Sequence, residues 1–257
     1  MSEYVMQTEH LQKKFGGVVA VKDFTFSVKE GEVIAIIGPN GAGKTTIFNL
    51  ISKIYQPDRG TITFGDTDIT NRSQIETARI GVARTFQNTR LFTGLNVLDN
   101  VKVALDFSGK YSLAEALFLL PRRLKQEKII TQKAMECLKL LHLDQYADVR
   151  PSNLPYGIQR RVEIARALAA NPKVLLLDEP AAGLNPEEVF QLMDFIREIK
   201  KQYPKLAILI IEHRMDLVMN LSDYIYVQDF GETIAQGLPE DIRNNPMVLK
   251  AYLGEED

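Results

Sequence analysis

The chain has 257 residues, 45% of them hydrophobic and 25% charged, which is the composition of an ordinary globular protein and excludes a largely disordered one. Its 31 basic and 33 acidic side chains leave a formal net charge of −2, which gives no electrostatic basis for broad nucleic-acid binding. The length suits one large α/β domain, or one core with a smaller lobe.

The start of the chain and its single cysteine bear on location. Met1 to Val5 show no basic segment followed by an apolar core, so we expect no signal peptide. Apolar runs such as Leu206 to Ile211 are too short to span a bilayer. Cys137 has no second cysteine with which to pair, and we expect it to be a packed core residue in a reducing compartment. The chain is therefore expected to be cytosolic, with any membrane role arising through a partner.

The first part of the chain has the alternation of β-strands. Residues 3 to 28 alternate apolar and polar positions around Gly16-Gly17, which predicts antiparallel strands joined by a glycine turn. Gly60 to Gly65 predicts another short strand between turns. We therefore expect a small antiparallel β layer beside the main core.

A glycine-rich segment between these strands fits the phosphate-loop pattern G-x-x-x-x-G-K-[ST]. It follows a predicted buried strand, Glu32 to Ile37, and opens a predicted helix, Lys44 to Ile51. Its residues are Gly38, Pro39, Asn40, Gly41, Ala42, Gly43, Lys44, Thr45 and Thr46. The inward-facing backbone N–H groups suit a β-phosphate, while Lys44 can reach the β and γ oxygens and Thr45 can ligate Mg²⁺. A glycine turn that binds nothing is the alternative, and the flanking strand and helix argue against it.

The character of the sequence changes after the predicted β layer. Helical spacing of apolar residues between Leu95 and Leu143 predicts a helical subdomain, which we place at about residues 91–159. Within it, Ser112 to Ile130 contains the basic run Arg122 to Lys125. We interpret this run as a solvated face in preference to a phosphate or lipid contact.

The last third of the chain indicates a parallel sheet. Lys173 to Asp178 and Leu206 to Ile211 are β-branched and leucine-rich runs, and Pro186 to Tyr203 between them has helical spacing. With the phosphate loop, this strand, helix and strand predict an α/β fold with a nucleotide-binding core at about 1–90 and 160–257.

Polar side chains follow the predicted core strands. Asp178 and Glu179 end one of them, and in a phosphate-loop protein the first acid orients Mg²⁺ or its water while the second polarises an attacking water. His213 and Gln87 also fall where strands finish, which is the edge where ligands bind in open α/β sheets. Alone, such residues are more often surface or capping groups. In this set, we predict that His213 contacts a γ-phosphate and that Gln87 contacts metal or water.

This motif set resembles the ATP-binding subunit of an ABC transporter over essentially the entire chain. The matching segments are Gly38 to Thr46 (Walker A), Gln87 (Q-loop), Leu154 to Gln159 (signature), Val174 to Glu179 (Walker B), Ala182 to Asn185 (D-loop) and His213 (switch histidine). The resemblance implies a P-loop NTPase (RecA-like) fold, with a mixed sheet core, an antiparallel β subdomain and a helical subdomain. It implies a Mg-dependent ATPase in which Thr45, Gln87 and Asp178 face the metal, partly through water. Phe15 matches the aromatic position that stacks on adenine, and its alternative role is a core residue of the β layer.

Four segments look more narrowly like the G-type ATPase subunit of branched-chain amino acid importers. They are Ala83 to Phe92, the helical stretch 107 to 130, Ile211 to Asp216 and Ala251 to Glu256. This resemblance implies ATP-driven uptake of Leu, Ile or Val through two membrane permeases, with a second ATPase subunit and an extracytoplasmic binding protein. The alternatives are the ATPase of a lipid- or lipopolysaccharide-exporting ABC system, whose ending is similar, and a soluble ABC ATPase. Soluble ones usually carry two cassettes or long coiled-coil insertions, and neither is evident.

The chain departs from the superfamily pattern in its signature and its D-loop. The signature usually has Ser and Gly before the retained glycine, where this chain has Pro155 and Tyr156 before Gly157. Proline lacks both the hydroxyl and the N–H, so we expect a weakened contact with the γ-phosphate held by an opposite subunit. We also expect a helix from Gln159 to Leu168, because proline is tolerated in the first turn of a helix. This asymmetry leads to the hypothesis that the chain pairs with a different ATPase subunit. Asn185 replaces the usual D-loop Asp and cannot pair with a cation.

Overall fold

The computed structural model describes residues 3–87, 90–106 and 121–253. The chain divides into two compact units, one formed by residues up to Gln87 and from Pro172 onward, the other by residues 88 to Asn171. The predicted features at 107–120, at Asn88-Thr89 and at residues 254–256 lie outside the described residues.

The antiparallel β layer is present in the first unit. Strands β1 (Met6–Phe15) and β2 (Val18–Val28) pair antiparallel, and Phe15 lies opposite Val18 across the Gly16-Gly17 turn. Strand β4 (Arg59–Phe64) pairs with the other edge of β1, and β5 (Thr67–Asp68) pairs with β4. The glycine turn and the alternating pattern therefore predicted this layer correctly.

The core of the same unit is built on buried parallel strands. They are β3 (Val33–Ile37), β6 (Val82–Arg84), β7 (Val174–Asp178), β8 (Ala207–Ile211) and β9 (Tyr224–Asp229). Strand β10 (Glu232–Gly237) runs antiparallel to β9 and meets β2, so the sheet order is β5-β4-β1-β2-β10-β9-β3-β8-β7-β6. Every residue of β3, β7 and β8 is buried, as their continuous apolar runs require. Because the core strands run parallel, their carboxyl ends meet at one edge of the sheet.

In the described part of the first unit, four helices connect strands and two follow β10. They are α1 (Lys44–Ile51), α2 (Gln74–Arg79), α6 (Pro186–Gln202), α7 (Met215–Leu221), α8 (Pro239–Arg243) and α9 (Pro246–Leu253). Helix α6 buries Val189, Leu192 and Ile196 on one face, as their helical spacing predicted. Among the helices of the described ranges, none combines the length and the apolarity that crossing a membrane demands.

The second unit is helical. It contains α3 (Val97–Asp106), α4 (Pro121–Leu140) and α5 (Tyr156–Ala169), which pack against one another, and two short 3-10 turns, Asp144–Tyr146 and Pro151–Asn153. The unit extends to Asn171, beyond the boundary near residue 159 drawn from the sequence, because α5 packs on α3 and α4. Cys137 is buried between α4 and α5, with its Sγ 3.7 Å from the carbonyl oxygen of Ala165.

Candidate nucleotide site

The loop between β3 and α1 has a backbone shape that depends on glycine. Gly38 and Gly43 have φ angles of 146° and 98°, which L side chains rarely adopt. A Cβ atom on Gly38 would lie 2.0 Å from the carbonyl oxygen of Gln228, and one on Gly43 would lie 2.3 Å from that of Ala20. The loop is thus pressed against β9 and β2, and glycine is required at both positions.

Lys44 is held within this loop. Its Nζ donates hydrogen bonds to the carbonyl oxygens of Gly38 and Pro39, each at 2.6 Å, and the residue is 5% exposed. Gly43 caps helix α1 without any side-chain acceptor for the first N–H groups of the helix. Such a helix start attracts anions, because its N–H groups and the helix dipole both present positive charge.

A cavity of about 560 Å³ opens beside the loop. Its walls include the loop residues Asn40, Gly41, Ala42, Gly43, Lys44, Thr45 and Thr46, together with Glu179 and His213. The remaining lining residues are Val18, Val19, Ala20, Lys22 and Phe230. The volume is that of a small-molecule site, and the loop, the acid and the histidine predicted from the sequence meet at it.

Glu179 is the centre of the polar side of the site. It follows β7, has a φ of 45°, and donates its backbone N–H to the carbonyl oxygen of Ile211. Gln87 donates from Nε2 to Oε2 of Glu179 at 2.7 Å, and Nε2 of His213 lies 3.0 Å from Oε1. A non-glycine residue held in the left-handed region at a polar site is the kind of strain that accompanies function. Two of the predicted residues, Gln87 and His213, therefore converge on the carboxylate of a third, Glu179.

Glu212, immediately before His213, was not among the predicted site residues. Its side chain is buried and accepts hydrogen bonds from the backbone N–H of Ala181 at 2.7 Å, of His213 at 2.9 Å and of Arg214 at 3.3 Å. Burial raises the pKa of the Glu212 carboxyl, and the N–H donors oppose this shift. One carboxylate thus ties the backbone that leads into the D-loop to the backbone that carries His213. A glutamate at the end of a fully apolar strand was the signal that sequence reasoning overlooked.

The three residues predicted to face magnesium lie in the same unit. Thr45 lines the cavity, Gln87 bonds Glu179, and Asp178 pairs through Oδ2 with Nη2 of Arg84 at 2.7 Å. In the part of the chain that the structure describes, no three His, Cys, Asp or Glu side chains cluster around a metal position. A hydroxyl, an amide and a carboxylate fit Mg²⁺ as a partial set completed by phosphate oxygens and water, which is how this ion is usually bound.

Phe15 does not line the cavity. Its ring packs edge-on against Tyr55, with 5.1 Å between centroids, and the residue is 42% exposed. Nζ of Lys13 lies 5.6 Å from the centroid of the same ring. Adenine stacking on this ring remains a prediction.

The residues at the signature and the D-loop lie at helix starts. Pro155 is the N-cap of α5, and its carbonyl accepts from Ile158 and Gln159, so the helix begins at Tyr156, three residues before the predicted start at Gln159. Tyr156 and Gly157 belong to the first turn. Asn185 caps α6: its Oδ1 accepts from the Glu188 N–H at 2.9 Å, and the Glu188 carboxylate accepts from the Asn185 N–H at 3.0 Å. Asn185 therefore has a local structural role that does not need the usual aspartate.

Comparison with known proteins identifies the family. The model of the ABC transporter family matches residues 21–182, and that of the branched-chain amino acid ATP-binding cassette transporter family matches residues 232–257. The chain is 43% identical over 255 residues to the high-affinity branched-chain amino acid transport ATP-binding protein LivG of Salmonella typhimurium, with 99% of this chain and 100% of the relative covered. It is 41% identical to BraF of Pseudomonas aeruginosa, which carries the same description, with the same coverage.

Solved structures agree. The ADP conformation of an ATP-binding cassette of an ABC transporter superposes with a TM-score of 0.85 at 34% identity, covering 98% of this chain and 99% of that one. A nucleotide-free cassette of an ABC transporter gives a TM-score of 0.84 at 35% identity, covering 97% and 98%. With the phosphate loop, Glu179 and His213 around one cavity, these similarities show that the chain belongs to the ABC transporter family, as one of its ATP-binding and ATP-hydrolysing subunits.

Proposed function

We propose that this chain hydrolyses Mg-ATP in the cavity beside Gly38 to Thr46 and thereby drives uptake of branched-chain amino acids by an importer. The observation that carries the proposal is the meeting of Gln87 and His213 on the carboxylate of Glu179 at the wall of that cavity. The importer role is supported by full-length similarity to relatives described as branched-chain amino acid transport ATP-binding proteins.

In the proposed reaction Glu179 is the general base. Water attacks the γ-phosphorus, the water proton passes to the Glu179 carboxylate, and the bond to the β–γ bridging oxygen breaks, so that ADP and phosphate leave. Gln87 contacts one oxygen of this carboxylate and His213 the other. In the proposed reaction His213 would also contact the γ-phosphate. Lys44 exchanges its two loop carbonyls for phosphate oxygens.

Magnesium supplies charge neutralisation on the phosphate oxygens, and Thr45, Gln87 and Asp178 are the residues that would hold it, partly through water. Adenine would stack on Phe15 at the edge of the β layer. We assign nucleotide binding to the unit that contains the β-sheet, and contact with permeases to the helical unit with the segment after Gln87. The division between the two units falls directly after Gln87, the Q-loop residue. This position supports the assignment of nucleotide binding to one unit and permease contact to the other.

The proposed partner in the ATPase pair is a different subunit with an intact signature. Pro155 provides neither a hydroxyl nor an N–H, and no side chain caps α5. An ATP held by the partner's phosphate loop would therefore be contacted only weakly by the signature of this chain. The ATP held by this chain, at Lys44, Glu179 and His213, would be contacted by the intact signature of the partner. Two integral permeases and an extracytoplasmic binding protein complete the proposed importer, with this chain at the cytoplasmic face of the membrane.

Reconstitution tests this function. The chain would be assembled with a candidate permease pair and partner ATPase in proteoliposomes, with ATP on the side of the ATPases and binding protein on the other side. We expect ATP-dependent uptake of labelled leucine, isoleucine or valine, and no uptake when Glu179→Gln replaces the parent chain. Stimulation of ATPase activity by lipid or lipopolysaccharide and not by these amino acids would indicate an exporter instead. ATPase activity with no assembly on any permease would point to a soluble ABC ATPase.

A further inference from the structure

Arg84 forms a buried ion pair with the acid that ends β7. Its Nη2 lies 2.7 Å from Oδ2 of Asp178, and the two side chains are only 7% and 5% exposed. Arg84 is the last residue of β6 and is not among the residues that line the cavity. Arg84 therefore lies outside the phosphate-loop cavity, although its partner Asp178 is one of the residues proposed to face Mg²⁺.

The guanidinium is fixed from several directions. Its Nη1 donates to Oδ1 of Asn49 and to Oγ of Ser52, each at 2.8 Å. Its central carbon lies 5.6 Å from the ring centroid of Phe48 and 5.2 Å from that of Phe86. A planar fork with bonds at two nitrogens and two aromatic rings near its carbon has little freedom to move. Arg84 is thus held in one position by side chains and not by solvent.

These contacts connect the parts of the chain that carry the proposed metal residues. Asn49 lies in α1, the helix that begins at Lys44 and Thr45, and Ser52 directly follows that helix. Phe86 directly precedes Gln87. Through Arg84, the end of β7 is therefore joined to α1 and to the segment before Gln87.

Electrostatics gives the pair a consequence for metal binding. A buried carboxylate without a countercharge is strongly unfavourable, and Asp178 is followed directly by a second acid, Glu179. Without a fixed cation, the Asp178 carboxylate would be an unpaired oxygen ligand, and oxygen ligands attract divalent ions even without nucleotide. The guanidinium is part of the chain and, unlike a dissolved cation, does not diffuse away from the carboxylate.

We propose that Arg84 is a positioning residue that supplies a fixed positive charge to Asp178: it holds Oδ2, leaves Oδ1 for the metal side, and keeps this carboxylate from taking a divalent ion before ATP arrives. The proposal rests on the proposed ATPase function in one respect only, namely that the metal facing Asp178 is the ion bound with ATP. In consequence, the divalent ion enters together with the nucleotide. The phosphates supply the negative charge that binds the ion, because Arg84 neutralises the charge of Asp178.

Binding of Mn²⁺ to the nucleotide-free chain tests this proposal, with free Mn²⁺ measured by electron paramagnetic resonance. Arg84→Met keeps the stem and removes the charge, and we expect it to bind one Mn²⁺ at least about 10-fold more tightly than the parent does. Arg84→Lys keeps the charge and should stay near the parent. Arg59→Met, which removes an exposed arginine of β4, controls for the change in net charge and should not change the affinity. The double variant Arg84→Met/Asp178→Asn should bind Mn²⁺ no more tightly than the parent does.

Equal Mn²⁺ affinity in the parent and Arg84→Met, or a gain that persists with Asp178→Asn, would overturn the proposal. If Arg84→Met does not fold, adding Asp178→Asn should restore folding, as seen by circular dichroism, because the unpaired charge is then gone. Failure of that restoration would also count against it. The parent's Mg-ATPase activity, measured in parallel, reports on the proposed function independently, since none of the Mn²⁺ measurements contains nucleotide.

Discussion

The side-chain amide of Gln87 donates to the carboxylate of Glu179, with Nε2 2.7 Å from Oε2. The two residues follow β6 and β7, neighbouring parallel strands, so the bond joins the two strand ends. A carboxylate held in this way presents a defined oxygen to an incoming water, and positioning of this kind contributes strongly to catalysis. The contact also means that the two residues should not act independently.

Replacement of Glu179 by Gln should abolish hydrolysis and preserve binding. The change removes the base and keeps the size, so we expect kcat of the assembled ATPase to fall by about 10²–10⁴-fold, with the Kd for Mg-ATP close to that of the parent. Adding Gln87→Ala to Glu179→Gln should cost little more, because the bond it removes already lacks its acceptor charge. Glu187→Gln, at an exposed position in the first turn of α6, is the matched control. Hydrolysis by Glu179→Gln at the parental rate would refute the assignment.

Glu212→Gln should loosen the two loops that this carboxylate joins. In the parent, both carboxylate oxygens of Glu212 accept from backbone N–H groups. The amide of the variant has only one acceptor oxygen, so its NH₂ group would face an N–H donor and leave it without an acceptor. Hydrogen–deuterium exchange should become faster at the amides of Ala181 and His213, and kcat should fall more than ATP affinity does. Glu187→Gln, at an exposed position in the first turn of α6, offers a comparison. Unchanged exchange at both amides would show that Glu212 does not position these loops.

Phe15→Ala should weaken nucleotide binding if the ring stacks on adenine. Stacking of a base on an aromatic side chain is worth about 1–3 kcal/mol, which corresponds to roughly a 5- to 160-fold rise in Kd, and Phe15→Tyr should restore the affinity. Fluorescence of a labelled ATP analogue measures both. An unchanged Kd together with a lower melting temperature would assign Phe15 to packing on Tyr55 instead.

Pro155→Ser should activate the complete transporter. Serine is a favourable N-cap and can accept from the N–H groups of the first turn of α5, which should stabilise the helix by about 1 kcal/mol. It also restores a hydroxyl at the position where the superfamily contacts the opposite γ-phosphate. We expect higher ATPase activity at saturating ATP, with assembly checked by gel filtration. Ser152→Ala, on the 3-10 turn before the signature, is the control variant. Equal rates with intact assembly would exclude the proposed asymmetry.

Lys53 predicts a pH dependence of stability. Burial lowers the pKa of its ammonium to about 8, and its Nζ donates to the carbonyl oxygen of Thr70 at 2.8 Å. Because the folded-state pKa lies below the unfolded value of 10.5, this group contributes stability that is present above pH 10.5 and lost as pH falls through 8. Between pH 7.5 and 9.5, the free energy of unfolding of the parent should rise by about 1–2 kcal/mol relative to Lys53→Met, after allowance for solvent screening.

Urea unfolding at the two pH values measures the difference, and Lys205→Met, an exposed lysine, controls for net charge. Parallel pH dependences for the parent and Lys53→Met would contradict the assignment of this titration to Lys53.

The sequence predicted the elements whose signal is local. The apolar runs of β3, β7 and β8 and the helical spacing of α6 depend on their own residues, and the phosphate loop is fixed by its glycines. Strands β9 and β10 and the sheet order were not predicted, because the pairing of β9 with β3 and the meeting of β10 with β2 are set by tertiary packing.

The same distinction holds at the site. Glu179, His213 and Gln87 were predicted because each falls just beyond a point where a strand finishes. Arg84 and Glu212 were not predicted as site residues, because their importance lies in partners 94 and 31 positions away in the chain. Phe230 reaches the cavity only because its turn is bonded to the phosphate loop, through the Gly231 N–H and the Ala42 carbonyl.

The contacts of Lys44 have a further consequence for the working cycle. Because its ammonium donates to two carbonyls of its own loop, we expect the turn to keep its curvature when ADP and phosphate have left. The next ATP then exchanges one set of oxygens for another and does not have to organise a collapsed segment. Recovery between successive turnovers should accordingly be limited by nucleotide release and not by refolding of the cradle.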